Sequence, residues 1–566
     1  MEYGVCAMWL RRGLFAAIIA SVIVPLAPSL ASAQVGGVLV SAGSPGSPFP
    51  QNKQNEPAVA IDPLNPKIAV AGANDEIDLA PCAGSSCPFT PGVGLSGVYF
   101  STSGGASWSQ PAYSGFSART GTGKAGPIGT VPGYFQAGLV SDGDPALAFG
   151  PRPAGGRFSW ANGVRLYYGN LAENFPGASA FKGFEAIAVS RTDDLAGAMA
   201  GHNSAWMPPV IVSRQNSALF SDKDAVWADN AATSPFFGRV YACNVAFRSQ
   251  EKGHAVPEPV IVATSTDGGS TWTQRQVSSA TNNNRTGGRQ DCALRTDSRG
   301  VVYLMYDSFS VRLNSNVLIE QRSADGGATF TRPQIAAVVG QTGQFDPVQG
   351  RFTIDGVAGS RTATFPSFDV ANGAPTGQGA TNELLLTWTD ARAGLNHERA
   401  FLEDSADGGR TFSAPVAISQ AGDRANQPAI AITPDGTRAW LTYNAYLQPW
   451  QATTGAARPE QGVVRMATIS NGVPGAFTTV LRGAAGDARA SSANSLTSEF
   501  LGDYNDIKAS AAGAVAVWND TRRAADCPAV DAFRQSLVNG SPITAPAPAT
   551  SCPATFGNSD IFGGSF

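Results

Sequence analysis

Charged and hydroxyl-bearing residues stand directly before short apolar runs at many points along this sequence. Two carboxylates held on either side of a sugar linkage can cleave it by general acid/base chemistry. A lysine and a tyrosine can instead remove a proton from a uronic acid whose carboxylate an arginine neutralises. The residues in such positions are Glu56, Asp144, Lys223, Asp224, Arg289, Asp291, Arg361, Gln427, Asp503 and Tyr504.

The apolar runs that follow these residues have the character of β-strands. They are short and are bounded by Gly, Asp, Asn or Pro, as at 58–61, 301–306 and 384–388. The chain has 64 Gly and 38 Pro but only 14% charged residues, which favours turns over long helices. We find no amphipathic helical stretch with start and stop signals. The sequence therefore predicts an all-β fold.

One short motif recurs four times with the pattern Ser-x-Asp/Ser-Gly-Gly-x-Thr/Ser-aromatic, beginning at Ser101, Ser265, Ser323 and Ser405. The aspartate can accept hydrogen bonds from backbone N–H groups in the turn, and the glycines permit positive φ. Each turn is expected to join two strands of one unit and to return its aromatic residue to the core. In the first copy Ser103 replaces the aspartate, which predicts a weaker turn. We interpret the aspartates of the other copies as structural: Asp267, Asp325 and Asp407.

A second pattern marks the beginning of each repeating unit and occurs seven times, at 56–62, 144–149, 224–229, 290–294, 365–369, 427–432 and 502–507. Repetition of a four-stranded unit is typical of a β-propeller. The last unit lacks the Gly-Gly turn, and the strand at 37–41 could supply its missing outer strand and close the ring. We therefore predict seven blades rather than six. The alternative is a pair of unrelated β-sandwiches.

A propeller would bring the candidate residues close together, because its inner strands begin around one mouth of the central channel. A mouth that carries several carboxylates, two arginines and a lysine suits a polar ligand, either a carbohydrate or an anionic molecule.

The N-terminus reads as a secretory signal peptide. Arg11 and Arg12 form a basic region, 14–30 is almost wholly apolar, and Ala31-Ser32-Ala33 is a small-residue cleavage site. We predict a signal peptide at 1–33, a single propeller domain at 34–566, and a secreted or periplasmic location. The alternative is a retained N-terminal anchor.

Six cysteines follow the predicted cleavage site. We predict the disulfides Cys82–Cys87, Cys243–Cys292 and Cys527–Cys552, the second of which would tie neighbouring blades; free buried thiols are the alternative. There is no CxxC pair and the chain has only three histidines, so a zinc site lacks ligands. The sequence leaves calcium binding open, although no EF-hand pattern occurs. No cofactor is expected.

The charge pattern limits the kinds of partner. The net charge is −4 and there is no basic tract, which argues against nucleic acid. We expect a carbohydrate or glycoconjugate ligand, no membrane association after signal cleavage, and a monomer.

The whole chain after residue 33 resembles the bacterial sialidase-like family of Asp-box (BNR) repeat propellers. The resemblance is carried by the four repeated turns and by the segments 55–57, 222–224, 365–367 and 500–504. It implies an exo-sialidase-like glycoside hydrolase. In such enzymes three arginines clamp the substrate carboxylate, a tyrosine paired with a glutamate is the nucleophile, and an aspartate is the general acid/base.

This sequence departs from that pattern in the first blade, where the arginine position reads Asn55-Glu56-Pro57. The resemblance assigns the other two arginines to Arg289 and Arg361, and the nucleophile pair to Tyr504 with Glu499. The possible acids are Asp142, Asp144, Asp222 and Asp224, of which we select Asp224. Lys223, Asp144 and Asp503 are the further substrate-binding candidates. Two other functions stay open: a non-catalytic propeller that binds glycans or proteins, and a polysaccharide lyase.

Overall fold

Seven antiparallel sheets dominate the computed structural model, which describes residues 34–248, 259–280, 289–362 and 364–566. The predicted signal peptide lies outside the described residues. The first strands of successive sheets contact one another in cyclic order, and the last sheet contacts the first. The fold is therefore a β-propeller with seven blades, as predicted.

Blades 1 to 3 come from the N-terminal half of the chain. The strands of blade 1 are Gln54–Ile61, Ala69–Asp75 and Ser96–Ser101, with Ser109 bridged to Phe100 in the fourth position. Those of blade 2 are Ala146–Pro151, Val164–Asn174, Ala186–Thr192 and Trp206–Ile211, with Leu139–Ser141 added to the second strand. Those of blade 3 are Phe220–Ala228, Val240–Phe247, Val260–Ser265 and Thr273–Gln276.

Blades 4 to 6 follow in the same order from the inner strand outward. The strands of blade 4 are Arg289–Thr296, Val302–Ser310, Ser315–Ser323 and Gln334–Val339. Those of blade 5 are Ser367–Val370, Leu384–Asp390, Arg399–Ser405 and Val416–Ala417. Those of blade 6 are Arg424–Ile432, Arg438–Tyr446, Pro459–Ser470 and Thr478–Gly483, with Gln34–Gly36 parallel to the last.

Blade 7 joins the two ends of the chain. Its strands are Asp506–Ser510, Gly513–Asp520, Asp560–Ser565 and Val38–Leu39. Val38 pairs with Gly563 and Leu39 with Phe562, so the N-terminal strand supplies the outer strand that the seventh unit lacks. This confirms the predicted closure of the ring, which leaves no unpaired edge on the third strand of blade 7 at this point.

Shorter elements lie between the blade strands. The remaining strands are Tyr113–Ser117, Lys124–Ile128, Pro153–Ala154, Arg157–Phe158, Gln344–Asp346, Arg351–Thr353, Val473–Pro474 and Gly486–Asp487. The α-helices are Leu195–Met199, Pro528–Val538 and Pro548–Ser551. Single 3₁₀ turns occupy Glu76–Asp78, Phe135–Ala137, Trp160–Asn162, Asn203–Ala205 and Ala488–Ala490.

The repeated Gly-Gly turns link the third strand to the fourth in blades 1, 3, 4 and 5. In the third copy, Asp325 Oδ1 accepts from the N–H of Thr329 at 2.8 Å and Oδ2 from its hydroxyl at 2.6 Å. These bonds lower the pKa of Asp325 to about 2. In the first copy, Ser103 Oγ accepts from the N–H of Ser107 at 2.9 Å and shares a second hydrogen bond with the Ser107 hydroxyl, also at 2.9 Å. The turns are thus closed as the motif predicts.

The core lies between adjacent blades. Trp388 and Trp518 occupy equivalent places in the second strands of blades 5 and 7, and both are fully buried. Each indole N–H donates to an aspartate two residues later, Asp390 or Asp520, at 3.0 Å. The same Trp-x-Asp pattern therefore gives the same packing in two blades.

Three disulfides are present: Cys82–Cys87, Cys243–Cys292 and Cys527–Cys552. All three predicted pairings are confirmed, and the second joins blade 3 to blade 4. Such bonds persist in oxidising compartments, so they fit an extracellular or periplasmic location. Within the described residues, no helix has both the length and the apolar character needed to cross a membrane.

Candidate functional site

The inner strands of the blades begin around one mouth of the central channel, where a cavity of about 570 Å³ opens. Its lining is highly charged. The cations are Lys53, Lys223, Arg351 and Arg361, and the carboxylates are Glu56, Glu76, Asp142, Asp144, Asp222, Asp307 and Asp503. This cavity carries both signs of charge, and five of the ten candidate residues line it: Glu56, Asp144, Lys223, Arg361 and Asp503.

A repeated backbone irregularity presents several of these side chains. Five non-glycine residues at equivalent positions of five blades have left-handed φ between 48° and 58°: Glu56, Asp144, Lys223, Asp291 and Gln427. In four of these blades the strand pairing shifts register at this point, as in a β-bulge. Such a conformation costs about 1–3 kcal/mol per residue and is typical of functional sites. The inner strands therefore carry strain where they meet the channel.

Four blades and one loop meet in a network of ion pairs at the mouth. The ammonium of Lys223 in blade 3 lies 2.6 Å from Asp503 Oδ2, beside blade 7, and 3.8 Å from Asp144 Oδ2 in blade 2. Arg361, from the loop before blade 5, places Nε 2.6 Å from Asp503 Oδ1 and Nη2 3.2 Å from Glu56 Oε1 of blade 1. Both oxygens of Asp503 are therefore engaged by cations.

The network fixes the charge states of its members. Burial opposes the charge of Lys223, but Asp503, Asp222 and Asp144 together raise its pKa well above the ordinary value. Burial likewise opposes the charge of Asp503, and Arg361 and Lys223 overcome this and lower its pKa. Both groups are therefore ionised at neutral pH.

A second wall of the mouth carries a buried pair, Lys53 and Glu76. Lys53 Nζ lies 3.5 Å from Glu76 Oε1 and donates to Asn494 Oδ1 at 2.9 Å. Burial raises the pKa of Glu76, and its Oε2 has no hydrogen-bond partner among the described residues. The ring of Phe500 lies between Lys53 and Arg361, with 5.2 Å and 4.6 Å from the cations to its centroid. Glu76 is thus a buried acid that faces the cavity.

The C-terminal insertion of blade 7 supports this wall. Arg534, on the helix Pro528–Val538, donates to the carbonyls of Arg489, Ser491, Leu496 and Ser498, just before Phe500. The disulfides Cys82–Cys87 and Cys527–Cys552 lie in one apolar cluster with Phe49 and Phe533. The segment that ends in Phe500 is therefore held by the insertion.

A smaller cavity of about 140 Å³ lies deeper in the channel and shares Phe365 and Asp503 with the mouth. Asp224, Asp291 and Tyr504 line it. Burial, reinforced by Asp144 and Asp222, raises the pKa of Asp224 well above its ordinary value, and both its oxygens lack partners among the described residues. Burial also raises the pKa of Asp291 to about 8. This level of the channel therefore carries neutral acids at pH 7.

The predicted site residues fall into three groups. Lys223, Asp144, Asp503 and Arg361 line the mouth, whereas Asp224 and Tyr504 line the deeper cavity. Arg289 is buried beside the mouth residue Gln290 and donates to Ser279 Oγ at 3.1 Å.

Glu499 is not brought to Tyr504 by any contact recorded for the described residues. Its carboxylate pairs with Arg458 at 2.6 Å and accepts from Ser360 Oγ at 3.0 Å. Burial raises the pKa of Tyr504 well above its ordinary value. The expected tyrosine–glutamate arrangement is therefore replaced, in this structure, by a buried Glu499–Arg458 ion pair.

Sequence reasoning missed four charged residues of the mouth: Lys53, Glu76, Asp307 and Arg351. None stands at the start of an inner strand; Lys53 directly precedes one, Glu76 follows a second strand, and Arg351 lies on a hairpin between blades 4 and 5. The one signal in the sequence was the position of Lys53, one residue before the first strand of blade 1. For the described residues, no group of three or more His, Cys, Asp or Glu has the geometry of a metal site.

No protein-family model and no curated protein matches the chain. Among solved structures it is similar to the Hadza microbial sialidase Hz136, at 13% identity and a TM-score of 0.38, covering 69% of this chain and 63% of that one. It is also similar to the Trypanosoma rangeli sialidase in complex with the inhibitor DANA, at 11% identity and 0.37, covering 74% and 55%. The similarity thus spans less than two thirds of either sialidase.

A third similar structure is the Penicillium chrysogenum α-L-arabinanase complexed with arabinobiose, at 11% identity and a TM-score of 0.38, covering 67% of this chain and 89% of that one. The seven blades, with the Gly-Gly turns that link the third and fourth strands in four of them, show that the chain has the β-propeller fold.

Proposed function

We propose that this protein is a glycoside hydrolase that binds a polar glycan at the mouth of its central channel. The observation that supports this most is that two carboxylates whose pKa values are shifted in opposite directions line the same cavity of about 570 Å³. Glu76 has a raised pKa and Asp503 a lowered one. Glycosidic cleavage needs such a pair, one group as an acid and the other as an anion.

In this proposal Glu76 is the general acid. Its buried Oε2 has no hydrogen-bond partner among the described residues, and burial keeps its proton at a higher pH than that of an exposed glutamate. Asp503 stays ionised between Arg361 and Lys223 and stabilises the positive charge that develops on the sugar ring. A water molecule then adds to the charged ring carbon and gives a proton back to the Glu76 carboxylate. The predicted residues Asp224 and Tyr504 line the smaller cavity beneath and have no direct part in this proposal.

Hydrolysis is better supported than elimination. A lyase would need a neutral base, but Asp503, Asp222 and Asp144 hold Lys223 in its charged form. Tyr504 is no better a base, since burial raises its pKa. Neither group could remove a proton near neutral pH.

An exo-sialidase is the narrower form of this proposal. It would require Arg361 to bind a substrate carboxylate, although the Arg361 guanidinium already forms ion pairs with Asp503 and Glu56. Glu56 also stands where the family has its first arginine. A sialidase reaction would therefore begin with the release of Arg361 from these two carboxylates.

The test is product release by the chain from residue 34 onward, incubated with a fluorogenic sialoside, an arabinoside, a galactoside and a panel of polysaccharides. We expect release from at least one glycan, and a loss of about 10²-fold or more in Glu76→Gln. The matched control is Glu403→Gln, since Glu403 is a buried glutamate on the outer side of blade 5 with its pKa likewise raised, to about 7. No release from any substrate, or equal losses in both variants, would reject the proposal.

A second candidate function is glycan binding without catalysis. This alternative is favoured because Lys53, Lys223 and Arg361 each already form an ion pair with a carboxylate of the protein. Glycan binding that survives in Glu76→Gln, with no product from the native protein, would establish this alternative.

A further inference from the structure

Arg351 differs from the other three cations of the mouth. Lys53, Lys223 and Arg361 each lie within 4.0 Å of a carboxylate. In the described part of the chain, no carboxylate lies that close to the guanidinium of Arg351, although the residue is exposed and lines the same cavity. Partial enclosure and the like charge of Arg361 both lower the pKa of Arg351. The mouth therefore holds one cation whose charge is not balanced by a close partner.

The hairpin that carries Arg351 is firmly anchored. Its strands are Gln344–Asp346 and Arg351–Thr353. Asp346 Oδ2 accepts from the N–H of Ala358 at 2.6 Å, and the indole of Trp450 donates to Thr353 Oγ1 at 3.1 Å. Arg351 is thus presented by a backbone that is fixed at both strands.

Two aromatic rings line the same cavity as this cation. Phe352 lines the cavity and packs edge-on against Phe345, with 5.7 Å between ring centroids and an angle of 73°. Phe89 also lines the cavity and is 50% exposed. The apolar face of a sugar ring packs well on an exposed aromatic ring. A cavity lined by this cation and by two such rings suits a sugar that bears an anionic group.

The inner part of the mouth is less suited to that group. An anion placed on Arg361 would have to displace Asp503 at 2.6 Å and Glu56 at 3.2 Å, and it would be repelled by both. Arg351 needs no such displacement. The charges thus favour uncharged hydroxyl groups deep in the mouth and an anion at the hairpin.

We propose that Arg351 binds an anionic substituent, a uronic carboxylate or a sulfate ester, on a glycan chain that extends from the mouth over the hairpin Gln344–Thr353. This rests on the proposed glycan-acting function and adds the substrate class to it. The ligand is then an acidic oligosaccharide or polysaccharide, in which the anion-bearing sugar is held at Arg351 and a neighbouring sugar lies over Asp503.

The experiment is calorimetric binding to two matched pairs of oligosaccharides. The first pair is oligogalacturonate and its methyl ester, and the second is a galactan oligosaccharide with and without sulfate esters. We expect the anionic member of one pair to bind about 10- to 100-fold more tightly, and Arg351→Gln to abolish that preference. Arg351→Lys should keep part of it, and the control Arg332→Gln, an exposed arginine outside the cavity, should keep all of it.

Each outcome has a defined meaning. The pair that shows the preference identifies the anion as a carboxylate or a sulfate. Equal binding within both pairs, a preference that persists in Arg351→Gln, or no binding of any oligosaccharide overturns the inference. Product analysis on the same samples separates the two proposals, because anion-dependent binding without cleavage rejects the hydrolase but supports the role of Arg351.

Discussion

Lys223 of blade 3 crosses the central channel and places its ammonium 2.6 Å from Asp503, which lies beside the first strand of blade 7. The pair separates the charged mouth from the deeper cavity, since Asp503 lines both. It also connects blades that are not neighbours in the ring. The channel of this propeller is therefore bridged by a side-chain contact and is not an open tube.

The two partners of this bridge should differ in their contribution to stability. Asp503→Asn leaves Lys223 and Arg361 without their shared anion, and we expect the free energy of unfolding to fall by about 3–5 kcal/mol. Lys223→Met should cost less, because Arg361 still neutralises Asp503. Urea unfolding of the variants, with the exposed Lys67→Met as the control, measures this difference. Equal losses in the two variants would contradict the shared-anion arrangement.

Stability should fall as the pH rises from about 4 to 8 because of Asp291. Burial raises its pKa from 3.8 to about 8, so the folded protein holds a proton over this interval that the unfolded chain has lost. The stability that this proton provides is full below pH 4 and disappears as the pH passes through 8. Thermal unfolding across this range should show a shallower decline for Asp291→Asn than for the native protein. A decline of unchanged slope would show that Asp291 titrates normally.

The first Gly-Gly turn should become more stable if Ser103 is replaced by the aspartate that the other three copies have at this position. Ser103 closes that turn with hydrogen bonds to the N–H and hydroxyl of Ser107. The charged Asp325 accepts from the N–H and hydroxyl of Thr329 and also from the hydroxyl of Ser323. We expect Ser103→Asp to raise the unfolding free energy by a few tenths to about 1 kcal/mol, and Asp325→Ala to lower it by a similar amount. Thermal unfolding measures both. Since the turns lie outside the mouth, a change in glycan binding by either variant would be against this interpretation.

The disulfides should differ in how much they contribute to the free energy of unfolding. Cys243–Cys292 closes 49 residues and Cys82–Cys87 closes 5, so the chain-entropy model gives about 4 and about 2 kcal/mol. The paired variants Cys243→Ala with Cys292→Ala, and Cys82→Ala with Cys87→Ala, should lose stability in that order in denaturant unfolding. The reverse order would mean that the small loop matters chiefly through the wall it supports.

The fold was predictable because its signals are local. A Gly-Gly turn closed by Asp325 or Asp407 needs only its own eight residues, and seven repeated strand starts define seven blades. The pairing of the six cysteines also followed from the order of blades and loops. Even the closure by Val38 and Leu39 could be inferred, since the last unit lacked one strand.

The site was only partly predictable, because its walls come from segments far apart in the sequence. Lys223 and Asp503 were identified from their places at or just before the starts of inner strands. Glu76 and Arg351 were not, since their approach to the cavity depends on a 3₁₀ turn and on an inserted hairpin. The proximity of Glu499 to Tyr504 in sequence was misleading, since the buried Arg458 draws Glu499 into a different ion pair.

The N-terminal strand in blade 7 has a consequence for the timing of folding. Val38 pairs with Gly563, so the outermost strand of the last blade is made long before the strand that it pairs with. At about 5–20 residues per second, roughly half a minute to two minutes of synthesis separate the two partners. Until then the early blades lack their closing neighbour, and the chain must be protected from association through its open sheet edges.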